Sequence, residues 1–292
     1  LVSHFQERFA LSERRASALA GLARSVQRHR SVRKPIPGLT DRLVELAKGR
    51  PRFGYRRLGL LLEREGFAVN HKRVYRLYAD LELAVRRKTR RRPSQAPREA
   101  RPKATSPNEC WSMDFMSDAM ACGRSLRVLT AVDDCTRLCV ALDFDVSLPA
   151  ARVVRELDRA IEQHGKPLAI RTDNGHEFTS KAFDAWCYDH GIEHHFIRPG
   201  KPIENAYAES LNGRVRDELL NQHCFSSVWH ATNLGADWRE DYNSVRPHTS
   251  LGGLSPLQYI AGLSGGHGPR SGLQLAPATQ HQPTLAPARA TP

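Results

Sequence analysis

Asp114 lies inside the apolar run WSMDFM, which reads as a β-strand, and a strand interior normally excludes Asp. Asp173 closes the run PLAIRTD at the carboxyl end of a later strand, the end at which α/β sheets place their ligands. Glu209 falls in NAYAESLNGRVRDELL, where a helix is expected over residues 204–220. Taken singly, each has an ordinary reading: an Asp before Asn-Gly is commonly a turn residue, and a Glu on a helix is commonly solvated. Converging from a strand centre, a strand end and a nearby helix, however, the three carboxylates offer hard oxygen ligands to divalent cations. Two such ions about 4 Å apart can activate a water or hydroxyl and stabilise the leaving oxygen of a phosphodiester. Other polar groups suit this chemistry less well. Asp133 and Asp134 occupy a hairpin-type turn and read as structural. His194 and His195 are adjacent, so in a strand they point to opposite faces and make a poor joint metal site.

Positioning these carboxylates requires a sheet, and the chain from Asn108 supplies one. CWSMDFM, SLRVLTAVDD and LCVALDFDV are three short strand-like runs separated by tight turns. Pro149 opens a helix that turns Val153, Val154, Leu157 and Ile161 inward and ends at Gly165. PLAIRTD reads as a strand, SKAFDAWCYDH as a helix closed by Gly191, and IEHHFIR as another strand. The order βββαβαβ followed by helices indicates an α/β domain with a mixed sheet.

Upstream the pattern is helical. Residues 11–30 contain no strong helix breaker except Gly21, and Thr40 is a plausible N-cap for a helix carrying Leu43, Val44, Leu46 and Ala47. A further helix holds Leu58, Leu61 and Leu62 and ends at Gly66. Asn70 can then cap a third, in which Val74, Leu77, Tyr78 and Leu81 share one face while His71, Lys72, Arg73 and Arg76 lie off it. Two short helices joined by a Gly-containing turn, the second with a basic side, outline a helix-turn-helix. The spacing fits an ordinary solvated helix equally well.

Charge distribution favours the first reading. The net charge of +13 is the sum of two unlike parts. Residues 1–107 hold 27 Lys/Arg and 9 Asp/Glu, net +18, whereas residues 108–292 hold 17 and 22, net −5. The stretch 86–103, RRKTRRRPSQAPREARPK, has nine Lys/Arg, one Glu and three prolines, so it cannot bury a core and reads as an extended linker. Beside a helix-turn-helix, its Arg86, Arg87, Lys88, Arg90, Arg91 and Arg92 are expected to contact phosphates and release counterions. With 40% hydrophobic and 26% charged residues the chain is globular rather than disordered throughout. No apolar run long enough for a membrane span and no secretory signal is visible. Six scattered cysteines without a CxxC pair read as reduced, mostly buried thiols of a cytoplasmic protein. Residues 265–292, rich in Gly, Pro, Ala, Thr and Gln, read as a disordered tail.

The blocks WSMDFM, TDNGHEF and NAYAES, with 35 residues between Asp173 and Glu209, resemble the DDE signature of integrases and transposases. PRFGYRRLGLLLEREGFAVNHKRVYRLY, GKPIENAYAESLNGRVRDELLN and YNSVRPHTSLGGLSP resemble the integrase-like product of the insertion sequence three family of bacterial transposases. The resemblance runs from about Ser12 to about Tyr259. It implies a ribonuclease-H-like catalytic core with a mixed sheet, preceded by a helical helix-turn-helix domain. The expected division is a helical DNA-binding region over 1–85, a basic linker over 86–107, the core over 108–224, a helical extension over 225–264 and the tail.

By the same resemblance Asp114, Asp173 and Glu209 form a metal-binding triad for two Mg²⁺ ions, with Mn²⁺ able to substitute. The expected activity is cutting at element ends followed by attack of the freed 3′-hydroxyl on another phosphodiester. Arg216, two turns after Glu209 on the same face, matches the family's basic residue at the DNA end. Asn205 and Asn212 share that face, either contacting DNA or orienting the helix. Asn174 and Gly175 match the turn beside the site, where Gly relieves crowding. The loop Pro199–Ile203, with Gly200 and Lys201, resembles the loop that holds the substrate end. Trp111 is expected in the core. The implied partners are terminal repeats, target DNA and further protomers on paired ends. No His/Cys zinc module precedes the core, since the first Cys is Cys110, in contrast to retroviral integrases. The start at Leu1 fits a family arrangement in which an upstream frame supplies another helix-turn-helix and an oligomerisation segment. Two rival readings are a DNA-binding regulator with an inert core and a plain ribonuclease-H-like nuclease.

Overall fold

The computed structural model describes residues 1–28, 36–85, 104–198 and 202–264. The chain divides into two compact units, one ending at Asp41 and the other beginning at Arg42. The first holds α1 (Val2–Phe9), α2 (Glu13–Leu19) and α3 (Arg24–Arg28). The single helical stretch expected over 11–30 is broken where Gly21 adopts φ +65°. There Gly21 N–H and Leu22 N–H donate to the carbonyls of Ala18 and Ser17, a turn that terminates α2 and that glycine enters without a Cβ clash. Arg28 returns to grip Glu13 through two hydrogen bonds of 2.8 and 2.5 Å.

Helices α4 (Leu39–Gly49), α5 (Tyr55–Arg64) and α6 (His71–Asp80) follow the expected periodicity. Thr40 is not the cap of α4, because the helix already begins at Leu39. Asn70 does cap α6, its side chain accepting from Lys72 N–H at 2.9 Å. Leu58, Leu61 and Leu62 of α5 and Val74 and Tyr78 of α6 are buried, and Gly66, at φ +91°, makes the turn between the two helices. Lys72 and Arg76 are exposed on α6.

The sheet consists of β1 (Cys110–Ala119), β2 (Ser125–Asp133), β3 (Cys139–Asp145), β4 (Ala169–Thr172) and β5 (Glu193–Phe196), in the order β3-β2-β1-β4-β5. The first three strands form an antiparallel meander, while β1–β4 and β4–β5 are parallel. The crossovers are α7 (Ala150–His164) and α8 (Lys181–Asp189), and α9 (Ala206–Glu218), α10 (Val228–Ser244) and α11 (Pro256–Ser264) complete the chain. Alternation along each strand gives the sheet two apolar faces. On one, Trp111, Met113, Leu129 and Val140 pack with Val153 and Leu157 of α7 and Phe183 of α8. On the other, Met116, Val128, Val132 and Phe144 pack with Leu211 and Val215 of α9 and Ala231 and Tyr242 of α10. α10 approaches β3 so closely that a Cβ on Gly235 would lie 2.2 Å from the Phe144 ring.

Residues 42–80 belong to the same compact unit as the sheet. Arginines of α4–α5 supply the reason. Arg64 donates to the carbonyls of Val245 and Gly253 at 2.5 and 2.7 Å, Arg50 pairs with Asp241, and Arg52 and Arg57 lie 3.2 and 3.6 Å from Asp217 and Glu218. The helical extension likewise shares the second apolar face with α9 and is part of the core packing. The thiols are also less sheltered than expected. Cys110, Cys139 and Cys187 are buried, but Cys122 and Cys224 are exposed. The basic linker stretch 86–103 and the tail 265–292 lie outside the described residues. No helix among the described residues is long and apolar enough to cross a membrane.

Candidate active site

Asp114 interrupts the second apolar face. It occupies the same side of β1 as Met116 and stands directly opposite Thr130 on β2, so two polar residues replace apolar ones at one point of the sheet. α9 crosses at that point. Asn212 donates from Nδ2 to Asp114 Oδ2 at 2.8 Å and places its Oδ1 2.7 Å from the Thr130 hydroxyl. Phe115 N–H donates to the other carboxylate oxygen at 2.8 Å. Asp114 is thus held at both oxygens. One turn earlier on α9, Glu209 is exposed on the same side of the helix.

Asp173 follows β4 directly, in the turn at its carboxyl end. Gly175 N–H donates to its Oδ1 at 3.0 Å, and a Cβ on Gly175 would sit 3.0 Å from that same oxygen. A larger residue here would press on the Asp173 carboxylate, whereas the backbone angle is one that any residue can adopt. Two contacts fix this turn. Arg127 on β2 pairs with Glu177 at 2.6 Å, and Phe178 stacks on Phe115 with ring centroids 4.9 Å apart. Asn174 reaches across to the Ile197 carbonyl at 3.3 Å.

These elements bring three carboxylates, distant in sequence, within electrostatic range of one another. Burial pushes the Asp114 carboxyl up to about 6. The Phe115 N–H and the Asn212 amide oppose the rise, and the charges of Asp173 and Glu209 add to it. Among the described residues no three His, Cys, Asp or Glu side chains are gathered closely enough to hold a metal ion as they stand. The donor chemistry nonetheless fits a hard divalent cation: the oxygens are all carboxylate, and the surplus negative charge that disfavours ionised Asp114 is what such a cation relieves.

For Asn205 and Asn212 the contacts favour the second of the two expectations, orienting the helix. Asn205 is only 3% exposed and donates to the Met113 carbonyl at 2.9 Å, pinning the start of α9 to β1. Asn212 is half-buried and spends its amide on Asp114. Both were expected on the Arg216 face and are there, bonded to β1, while Glu209 and Arg216 on that face are exposed. Arg216, further along, is exposed and lies 3.5 Å from the Ser117 carbonyl. Lys72 and Arg76 are exposed on α6 and Arg73 is half-buried there. Lys201 and Arg86, Arg87, Lys88, Arg90, Arg91 and Arg92 fall outside the described residues. Thr130, Arg127 and Glu177 were not anticipated. Thr130 alone carried a usable signal, as a polar residue with the same alternation as Val128 and Val132. Asp133 is buried and caps its turn by accepting from Asn108, Cys135 and Thr136 N–H groups, as a structural residue would.

A mixed sheet in this order, with helices on both faces and carboxylates at β1, the end of β4 and α9, defines a ribonuclease-H-like integrase core preceded by helix-turn-helix-like helices. The sequence matches two integrase core domain models, over residues 104–202 and 190–256, and an HTH-like domain model over residues 39–92. It is 50% identical over 256 residues to the insertion element IS476 uncharacterized 39.2 kDa protein of Xanthomonas euvesicatoria, covering 87% of this chain and 74% of that one. With the insertion element IS407 uncharacterized 31.7 kDa protein of Burkholderia multivorans it shares 48% identity, over 89% of this chain and 94% of the relative. The putative transposase InsK for insertion sequence element IS150 of Escherichia coli is 30% identical, over 73% and 78% of the two chains. The fold is similar to a chain of the simian T-cell lymphotropic virus intasome in complex with PP2A regulatory subunit B56 gamma. The TM-score is 0.50 at 18% identity, over 84% of this chain and 80% of that one. This chain belongs to the integrase-core transposases of insertion elements, of the insertion sequence three type. It is a polynucleotidyl-transferase-type enzyme with DNA as its partner.

Proposed function

We propose that the chain cuts DNA at the ends of its insertion element and joins the freed 3′-hydroxyl to a second phosphodiester, using Asp114, Asp173 and Glu209 as metal ligands. The observation that supports this most directly is the effect of the Asp173 and Glu209 charges on Asp114. Repulsion of a half-buried strand carboxylate by two others, from the turn after β4 and from α9, is what a cation-binding site carries before it is loaded. Two Mg²⁺ ions, or Mn²⁺ in their place, would supply Lewis-acid activation of the attacking oxygen and charge stabilisation of the leaving one. The protein's own part is positional. Asn212 and the Phe115 N–H fix the Asp114 carboxylate, Gly175 leaves room beside Asp173, and Arg216 offers a cation to the substrate end. Lys72, Arg73 and Arg76 supply phosphate contacts from α6. No Ser, Tyr or Cys nucleophile is required, because the attacking groups are a water and the DNA hydroxyl. Further protomers assemble on paired ends.

Labelled element-end DNA incubated with Mg²⁺ and either the parent, Asp114→Asn or Glu209→Gln tests the reading. Expected are cut and joined products from the parent, lost in both variants while DNA binding persists. Binding without cutting by the parent, even with an upstream-frame product supplied, would make the chain a DNA-binding regulator. Cutting without any joined product would make it a nuclease.

A further inference from the structure

α9 has a second functional side. Glu209, Asn212 and Arg216 share one face, and by helical spacing Tyr207 and Arg214 lie on the opposite one. There they border a cavity of about 380 Å³, completed by Arg57 of α5, Arg137 of the β2–β3 turn, and Arg246 and His248 beyond α10. All six side chains belong to the unit that begins at Arg42.

The charges in this cavity do not balance. Glu218 accepts two hydrogen bonds from buried Arg246, at 2.8 and 2.7 Å, and lies 3.6 Å from Arg57. That one carboxylate is shared by two guanidiniums. Arg137 lies over the Tyr207 ring, 3.8 Å from its centroid, and donates to the Asp134 carbonyl. Among the described residues Arg214 forms no hydrogen bond or ion pair. Burial and the charges of Arg246 and Arg214 press the Arg57 guanidinium down to about 10, and His248 is held neutral by burial and the same arginines. Cations crowded in a half-enclosed space are unfavourable unless an anion joins them. Planar guanidiniums bind the oxygens of a phosphate bidentately.

We propose that this cavity is a phosphate-binding subsite, filled by a backbone phosphate of the bound DNA on the side of α9 away from the carboxylates. It rests on the reading of the chain as a DNA-acting enzyme. Two features favour DNA over a free anion. The cavity joins α5, within the helix-turn-helix-like region, to α9, which carries Glu209, and it is open to solvent on one side. A duplex held by the first and cut beside the second is the phosphate source both elements already share.

The experiment measures affinity for duplex DNA across a salt series with the full chain in EDTA, so that nothing is cut. The parent is compared with Arg214→Gln and Arg214→Lys. Arg214→Gln is expected to weaken binding equally on element-end and unrelated DNA and to lower the slope of log K against log salt by about 1, one phosphate contact's worth. Arg214→Lys is expected to keep the slope. The melting midpoint of Arg214→Gln should stay level or rise, since the change breaks no hydrogen bond and removes a like charge. A purely structural role would lower it. An unchanged slope and affinity in Arg214→Gln overturns the proposal, while the parent's own binding reports separately on the DNA-acting reading. In a second arm inorganic pyrophosphate is added without DNA. Stabilisation of the parent but not of Arg214→Gln, together with an unchanged DNA slope, would assign the cavity to a free phosphoryl anion and overturn the DNA assignment.

Discussion

Asp114 is a carboxylate held by one neighbour next to it in sequence and one about a hundred residues away. Its two oxygens are occupied by Phe115 N–H and by the Asn212 amide, and Asn212 is itself steadied by Thr130 across the strand pair. Groups that orient a metal ligand commonly matter about 10- to 100-fold to metal affinity or activity. Asn212→Ala is therefore expected to lower Mg²⁺-dependent cutting by about that factor, with part of the loss recovered at higher Mg²⁺. DNA affinity in EDTA should be unchanged, because the amide faces Asp114 rather than solvent. Loss of DNA affinity with normal metal dependence would favour the other reading of Asn212, a DNA contact.

At the level of elements, the site depends on α9 and α10 lying flat on one face of the sheet. Asn205 fastens the start of α9 to the Met113 carbonyl, and α10 lies close enough to β3 that only glycine fits at residue 235. A methyl group at 2.2 Å from the Phe144 ring cannot be absorbed by a rotamer change, because Phe144 is itself buried and packs on Phe225. Gly235→Ala should cost about 1–3 kcal/mol through overpacking. For a unit of this size that corresponds to a fall of roughly 2–10 °C in the melting midpoint, readable by calorimetry. The helices themselves were legible: the apolar spacing in α4 to α7 and the Asn70 cap announce them locally. Gly21 stood out as the one breaker in its stretch, but the start of α4 at Leu39 was not legible, since a helix end is decided by one residue's dihedral angle rather than by a pattern.

For the whole molecule the basic front end has two uses. Arg50, Arg52 and Arg64 face acidic or carbonyl oxygens of the segment from α9 to Gly253, whereas Lys72 and Arg76 remain exposed on α6. The +18 of residues 1–107 is therefore not all available to DNA. Arg64→Ala is expected to lower stability by about 1.5–3 kcal/mol, the range for hydrogen bonds to a charged group, while the salt slope of DNA binding stays unchanged. Arg76→Ala should do the reverse, leaving the melting midpoint alone and reducing the slope by about 1. Equal effects on both readouts for both variants would mean that the two sets of cations are not separate.

The sequence by itself made legible the order βββαβαβ and the helix-turn-helix-like pair, through side-chain periodicity, and the resemblance of its motifs to a known family pointed to the ribonuclease-H-like class and to three acidic positions. Periodicity and motif spacing are local properties of the chain. Only the tertiary structure decided which polar residues face one another. Asn205 and Asn212 share the Arg216 face by spacing, yet β1 covers the first and claims the second. Arg50 finds its partner 191 residues away, and Arg57 and Arg214 meet around one cavity from opposite ends of the fold. Spacing says which side of a helix a residue occupies. What lies against that side is set by packing between distant segments, and that alone separates a DNA contact from an internal tie.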